Sequence, residues 1–276
     1  MTENGSFTDV EGLAARVADG VKLGIPADAS GVSMAAVRAL VRRGVRGLSL
    51  VNLPTGGIAT DLLIGAGCVA EIETSGVSLG EFGPAHRFGH AVRTGALRIK
   101  DATCPAVHAG LLAAELGSPF IPLRGILGSD LLRHREDWTV IDNPFGDNDP
   151  IVLLKAITPD LALFHAGLAD REGNVWIGRR NELKLLAHAS RGTLATVEAM
   201  HDGNLLADDR YAAGTIPAIY MAAIAVAPGA AAPCAFWHGD RAVDAAEMRR
   251  YAELSRTAEG FQRYLEETVL KPRQAA

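Results

Sequence analysis

Between Leu48 and Leu116 the chain repeats one unit: a short apolar run, a Gly or Pro turn, then a stretch with helical spacing. This repetition is the strongest constraint on the fold. A run such as Leu48 to Leu53, bounded by Gly47 and Pro54, is apolar enough to be buried on both faces of a parallel sheet. Parallel neighbours need a crossover, and helix-length segments stand between the runs. Strands are predicted at 21–25, 48–53, 69–74, 97–99, 120–123, 139–141, 151–154, 161–164, 194–197 and 222–226. Helices are predicted at 10–18, 60–64, 84–93, 182–189 and 245–256. Two further helices carry end signals: 34–43, with Ser33 as N-cap and Gly44 just beyond, and 105–116, with Pro105 at its start and Gly117 after it. The tail from Arg256 to Ala276 reads as an amphipathic helix with a frayed end. No linker divides the chain. The expectation is one α/β domain over residues 1–276, a mostly parallel sheet flanked by helices, with ligand loops gathered at strand ends.

Composition narrows the function classes. With 276 residues, 48% hydrophobic and 21% charged, the chain can build a large core. A net charge of −5 gives no case for nucleic acid or an anionic membrane as partner. The three cysteines, Cys68, Cys104 and Cys234, lie far apart and show no zinc spacing, so neither a disulfide framework nor a structural metal is expected. Met1 to Val10 is polar, unlike a signal peptide, and the apolar stretch from Ile216 to Ala232 is interrupted by Pro217, Pro228 and Gly229. A cytoplasmic protein fits these features.

Three loops carry candidate chemistry. Pro119 to Phe145 contains a short apolar strand running into Gly125, Gly128, Ser129 and Asp130. Freed backbone amides at such an edge can hold a phosphate, carboxylate or thioester oxygen. Gly56 and Gly57 follow a strand and lead into a helix, allowing either close approach to a ligand or a tight structural turn. Gly80 and Glu81 lie in a glycine-rich loop, where the carboxylate could reach a substrate and Arg87 could hold an anionic acyl group. His86 and His90 share a helix face, but a third metal ligand is not apparent and no metal site is expected. Cys104, near a helix start, reads as a buried inert thiol, and His165 as a strand-end histidine at the edge of the core.

Taken in order, these segments resemble the alpha chain of family I coenzyme A transferases, in particular the glutaconate CoA-transferase type. Gly56-Gly57 with Asp61-Leu62-Leu63-Ile64-Gly65 resembles the early glycine loop and helix, and Gly83, Ala85 and Phe88 a following loop and helix. Pro119-Phe120-Ile121-Pro122 through Gly128-Ser129, and Ile141-Asp142-Asn143-Pro144-Phe145, are similar to the strand and loop beside the family's active site. His165-Ala166, Thr196-Val197-Glu198 and Ala213-Gly214-Thr215-Ile216-Pro217 continue the likeness, which spans Val10 to Tyr264. The chain departs from the family pattern at Leu23-Gly24-Ile25-Pro26-Ala27-Asp28 and at Gly229-Ala230-Ala231-Ala232-Pro233-Cys234.

The resemblance implies a CoA-transferase (NagB/RpiA-like) fold, the role of an alpha subunit, and covalent exchange. A glutamate supplied by a beta-type subunit, the expected partner, attacks an acyl-CoA thioester. An acyl-glutamyl anhydride and then a glutamyl-CoA thioester form, and a carboxylic acid takes the CoA. The coenzyme A thioester is then a substrate, with no permanently bound cofactor. Gly56, Gly57, Gly80, Gly128 and Ser129 are expected to border the acyl-CoA cleft, with Glu81 positioning substrate. Two other functions remain open: the alpha part of a ring-cleaving acyl-CoA hydrolase of the same family, and a non-catalytic metabolite-binding module.

Overall fold

The computed structural model describes residues 7–271. Its strands are β1 (Phe7–Thr8), β2 (Lys22–Pro26), β3 (Leu48–Leu53), β4 (Val69–Thr74), β5 (Arg98–Asp101), β6 (Phe120–Leu123) and β7 (Trp138–Asp142). These are followed by β8 (Pro150–Lys155), β9 (Leu161–Ala169), β10 (Val175–Trp176), β11 (Thr193–Met200), β12 (Thr215–Ile216) and β13 (Met221–Val226). The helices are α1 (Val10–Ala15), α2 (Asp28–Gly31), α3 (Met34–Arg43), α4 (Ile58–Gly65), α5 (His86–Thr94), α6 (Cys104–Glu115), α7 (Asn181–Ala189), α8 (Ala245–Leu254) and α9 (Ala258–Tyr264).

The main sheet runs β1-β13-β11-β9-β2-β3-β4-β5, with every neighbouring pair on that path parallel. β10 joins it antiparallel to β9, and β12 pairs with β10. Side chains alternate between two cores. Leu48 and Leu50 of β3 join the core that contains α3, α4 and α9, while Val51 and Leu53 join the one that contains α6 and α7. Both faces are covered, which explains why β3 reads as an almost continuous apolar run.

Local signals worked unevenly. Gly44 adopts φ 72° and its N–H reaches the Leu40 and Val41 carbonyls, closing α3 as its sequence predicts. Ser33 does not cap that helix. Its hydroxyl is buried and shares a 2.7 Å hydrogen bond with Thr196 of β11. Thr103 caps α6 by accepting from the Ala106 N–H. β6, β7 and β8 leave the parallel sheet and form a separate three-stranded antiparallel sheet in the order β6-β8-β7. A buried ion cluster fastens it to β4: Arg135 donates to Glu73 at 2.5 Å and to Asp137 at 2.8 Å, and Lys100 reaches Asp137 at 2.7 Å. Those donors hold the Asp137 carboxyl far below its usual range against the opposing effect of burial.

The C-terminal segment folds back on the α4 side. Tyr251, Phe261 and Tyr264 are buried there, and α9 runs into a π-helical turn over Leu265–Val269. Of the frayed end expected of the tail, residues 272–276 lie outside the described residues. Among the described residues no helix is long and apolar enough to cross a membrane.

Candidate functional site

Chain order along the sheet reverses between β2 and β9: β3, β4 and β5 lie to one side, β11, β13 and β1 to the other. In such sheets, ligands bind outside the carboxyl ends of strands near the reversal. A cavity of about 300 Å³ lies there. Its wall comes from the segments after β2 (Asp28, Ala29), β3 (Thr55 to Gly57) and β4 (Ser78 to Phe82), and from Cys234, Ala235, Val243 and Met248.

Asp28 and the start of α4 form its best-defined corner. Asp28 Oδ2 accepts from the Ile58 N–H at 2.9 Å, so a carboxylate thirty positions away in sequence caps α4. The fit requires a glycine at 57, because a Cβ there would stand 2.0 Å from Asp28 Oδ2. Gly56 is equally confined, with Asn52 Oδ1 and Thr60 Oγ1 each 2.6 Å from where its Cβ would be. Asp28 Oδ1 is buried and takes no hydrogen bond. Burial pushes the Asp28 carboxyl up to about 6, the Ile58 and Ala59 amides pull it back, and Asp61 adds repulsion.

Asp61 lies one turn along α4, fully buried, accepting from the Phe88 N–H and the Tyr251 hydroxyl, each at 2.7 Å. Burial raises its pKa against those bonds. Cys234, on the opposite strip of wall, is buried, and burial first and Asp28 second push its thiol well up. The cavity therefore meets a substrate with two carboxyl groups, Asp28 and Glu81, a protonated thiol and small or apolar side chains.

The structure brings Gly56, Gly57, Gly80 and Glu81 into this one wall. Glu81 is exposed within a 3₁₀ turn, Gly80–Phe82, entered through Gly80 at φ 62°. Gly128 and Ser129 lie elsewhere, in the loop after β6. Ser129 Oγ there accepts from the Leu131 N–H at 3.2 Å, and Gly128 takes φ 76°.

Two other expectations, for Arg87 and Cys104, are corrected. Arg87 is buried, donates to the Arg256 carbonyl at 2.9 Å and lies over Phe261, so it is committed to the α9 layer and does not face an acyl group. Cys104 is exposed, 3.0 Å from Ser75 Oγ, where the sequence suggested a buried thiol. His86 and His90 share α5, but among the described residues no three His, Cys, Asp or Glu side chains gather to hold a metal ion.

His165 is the largest correction. β9 continues to Ala169, so His165 sits in mid-strand and is fully buried. Its Nδ1 meets Thr196 Oγ1 at 2.9 Å and its Nε2 meets Glu198 Oε1 at 2.8 Å. Glu198 also accepts from the Gly229 N–H at 3.0 Å and from Arg241 at 2.9 Å. Burial lowers the imidazole pKa, and Glu198 opposes the shift. Gly229 and Arg241 bracket the segment that carries Cys234 and Ala235, so this buried relay holds one wall of the cavity. The sequence contained Thr196, Val197 and Glu198 but not the pairing register that sets Thr196 beside His165. Asp28 and Cys234, also absent from the predicted site, each end a segment where the chain departs from the family pattern.

A parallel sheet with glycine loops gathered at its reversal point is shared by many ligand-binding proteins, and kinship in sequence decides among them. Residues 7–227 match the family described as coenzyme A transferase, and the chain belongs to that family. Within it, the chain is of the alpha type. The A chain of a 3-oxoadipate CoA-transferase from Pseudomonas knackmussii is 29% identical over 245 residues, 86% of this chain and 84% of that protein. A cholesterol ring-cleaving hydrolase IpdA subunit from Mycobacterium tuberculosis is 28% identical over 275 residues, 94% of this chain and 91% of that protein. An uncharacterized Archaeoglobus fulgidus protein is 30% identical over 246 residues, and the chain spans 53% of its length. The crystal structure of glutaconate coenzyme A-transferase from Acidaminococcus fermentans superposes with a TM-score of 0.86 over 97% of this chain and 90% of that one, at 23% identity, which shows the shared fold.

Proposed function

We propose that this chain is the alpha half of a CoA-transferase and that its cavity receives the acyl group of a coenzyme A thioester. The observation that carries this reading is the convergence of Gly56, Gly57, Gly80 and Glu81 in one cavity at the sheet reversal of a coenzyme A transferase family chain. The volume, about 300 Å³, lies at the small end of the roughly 300–1,000 Å³ usual for ligand sites. An acyl group fits such a space, while the nucleotide part of CoA would lie outside it.

The chemistry needs a nucleophile. A partner-supplied glutamate attacks the thioester carbonyl and expels CoA thiolate, leaving a mixed anhydride. The thiolate then attacks the glutamyl carbonyl and expels the donor acid. The acceptor carboxylate repeats the sequence in reverse. Glu81 is exposed on a turn and is assigned to substrate positioning, and Gly128 and Ser129, in the loop after β6 and outside the cavity wall, are assigned to a part of the cleft that the partner completes. Phe120, Val140, Ile141 and Phe145 are exposed apolar residues on or beside the small sheet and support a covering subunit. No resident cofactor enters this scheme, and a cytoplasmic location is part of the proposal.

Likeness to the Mycobacterium tuberculosis hydrolase over 94% of the chain favours a second reading, hydrolysis of an acyl-CoA by the same cleft. Co-purification with the beta-type partner, an acyl-CoA exchange assay, and trapping of the acyl-enzyme distinguish them. Transfer labels a glutamate of the partner. Release of free acid without any labelled glutamate supports hydrolysis, and a labelled Glu81 or full activity of the isolated chain refutes the assignment.

A further inference from the structure

We infer that the cavity selects acyl groups without a second negative charge, and that Asp28 is the residue that rejects a distal carboxylate. This rests on reading the cavity as an acyl-CoA site. The substrate class it names is the neutral, mostly apolar monocarboxylic acyl group.

Among the described residues the wall contains no Lys, Arg or His, and its only charged side chains are the two acids Asp28 and Glu81. The one feature that would attract an anion is the start of α4, where free amides and the helix dipole favour negative charge. That seat is taken. Asp28 Oδ2 holds the Ile58 N–H at 2.9 Å, and the missing side chain of Gly57 lets it in. Asp61, buried one turn further along α4, adds negative charge behind it.

Cations around the cavity stay out of its wall, and Arg38 acts on the Cys234 thiol from outside it. Arg87 is tied to the Arg256 carbonyl, and Arg249 lies 6.0 Å from the Phe82 ring centroid without entering the wall. A substrate carboxylate at the inner end would lose its water, find no cation and only the neutral hydroxyls of Thr55 and Ser78 and the Cys234 thiol as side-chain donors, and face a carboxylate of the protein. An alkyl chain meets Leu79, Phe82, Val243 and Met248 instead.

The test uses the enzyme co-purified with its partner and two thioesters of equal chain length, pentanoyl-CoA and glutaryl-CoA. Binding of each is measured by titration calorimetry at pH 7.5, with turnover in parallel. Pentanoyl-CoA is expected to bind tighter by about tenfold or more. Asp28→Asn keeps an amide oxygen for the Ile58 N–H and removes the charge. It should bring the two affinities to within about threefold, a change of ratio that general loosening of the fold would not produce. Equal binding of the two esters by the wild type, tighter binding of glutaryl-CoA, or an unchanged ratio in the Asn variant overturns the inference. If the binding ratio holds but neither ester turns over, the transferase reading falls and the selectivity stands. If neither ester binds at millimolar concentration, both fall.

Discussion

Asp28→Asn should stabilise this chain at neutral pH. Burial raises the Asp28 carboxyl from 3.8 to about 6, and at about 1.4 kcal/mol per pKa unit the ionised form costs about 3 kcal/mol near pH 7. Asn retains an oxygen for the Ile58 N–H but turns an NH₂ toward the enclosed position now held by the partnerless Oδ1. An unmet donor there returns about 1–2 kcal/mol, leaving a net gain of about 1–2 kcal/mol, or roughly 2–4 °C in Tm. The pH profile identifies the cause. A carboxyl whose folded pKa is raised binds its proton more tightly when folded. Its contribution is therefore complete below pH 3.8 and lost as pH rises through about 6. By the same figures the Asn variant should be the less stable of the two at pH 4, overtake the wild type between 4 and 6, and hold its full advantage above 7. His165 acts in the opposite direction: its lowered folded pKa removes stability as pH falls below 6.5. It is present in both proteins and cancels in their difference. Urea unfolding of the two chains at matched pH values measures this directly. A wild type more stable than the variant at pH 7.5, or a difference independent of pH, would refute the reasoning.

Gly57→Ala should cost about 2–3 kcal/mol, because the new Cβ would stand 2.0 Å from Asp28 Oδ2 and would either displace that cap or shift α4; denaturant unfolding reads it. Glu198→Ala should destabilise by about 2–4 kcal/mol, since it leaves buried His165 Nε2, the Gly229 N–H and Arg241 without their acceptor. Glu198→Gln, which keeps an acceptor, should lose clearly less in the same assay. Glu81→Ala should lower kcat/KM of the assembled enzyme by about tenfold, with the melting temperature unchanged; complete loss of turnover would mean that Glu81 does more than position substrate. Gly128→Val places a branched residue at φ 76°, which should cost about 1–3 kcal/mol, and any further loss of turnover in the assembled enzyme would locate that loop at the cleft.

Much of the architecture was legible because its causes are local. Leu48–Leu53, Val69–Thr74 and Met34–Arg43 fall where their apolar spacing and flanking Gly or Pro put them. All strands of the main path are parallel, so loops after β3 and β4 must emerge on one side of the sheet. The grouping of Gly56, Gly57, Gly80 and Glu81 with Gly128 and Ser129 came from the family resemblance, and the parallel strands account for why the first four share one wall while the last two, after β6 of the separate sheet, do not.

Pairing partners were not legible, because strand order and register minimise the free energy of the whole chain and leave almost no trace within a short window. Three short antiparallel strands read the same as parallel ones until Arg135, Glu73 and Asp137 lock them to the edge of β4. His165 looked like a strand end until the register with β11 gave it Thr196 and Glu198. Asp28 stood out in the sequence only as the end of a segment that departs from the family pattern, and only the approach of β2 to β3 makes it the cap of α4. The sequence by itself determined a parallel α/β sheet and the side on which its loops gather, through hydrophobic periodicity and backbone stereochemistry. Tertiary structure alone decided which carboxylate fills the helix terminus and which distant segment closes the cavity, because both depend on contacts between residues that chain-local forces never bring together.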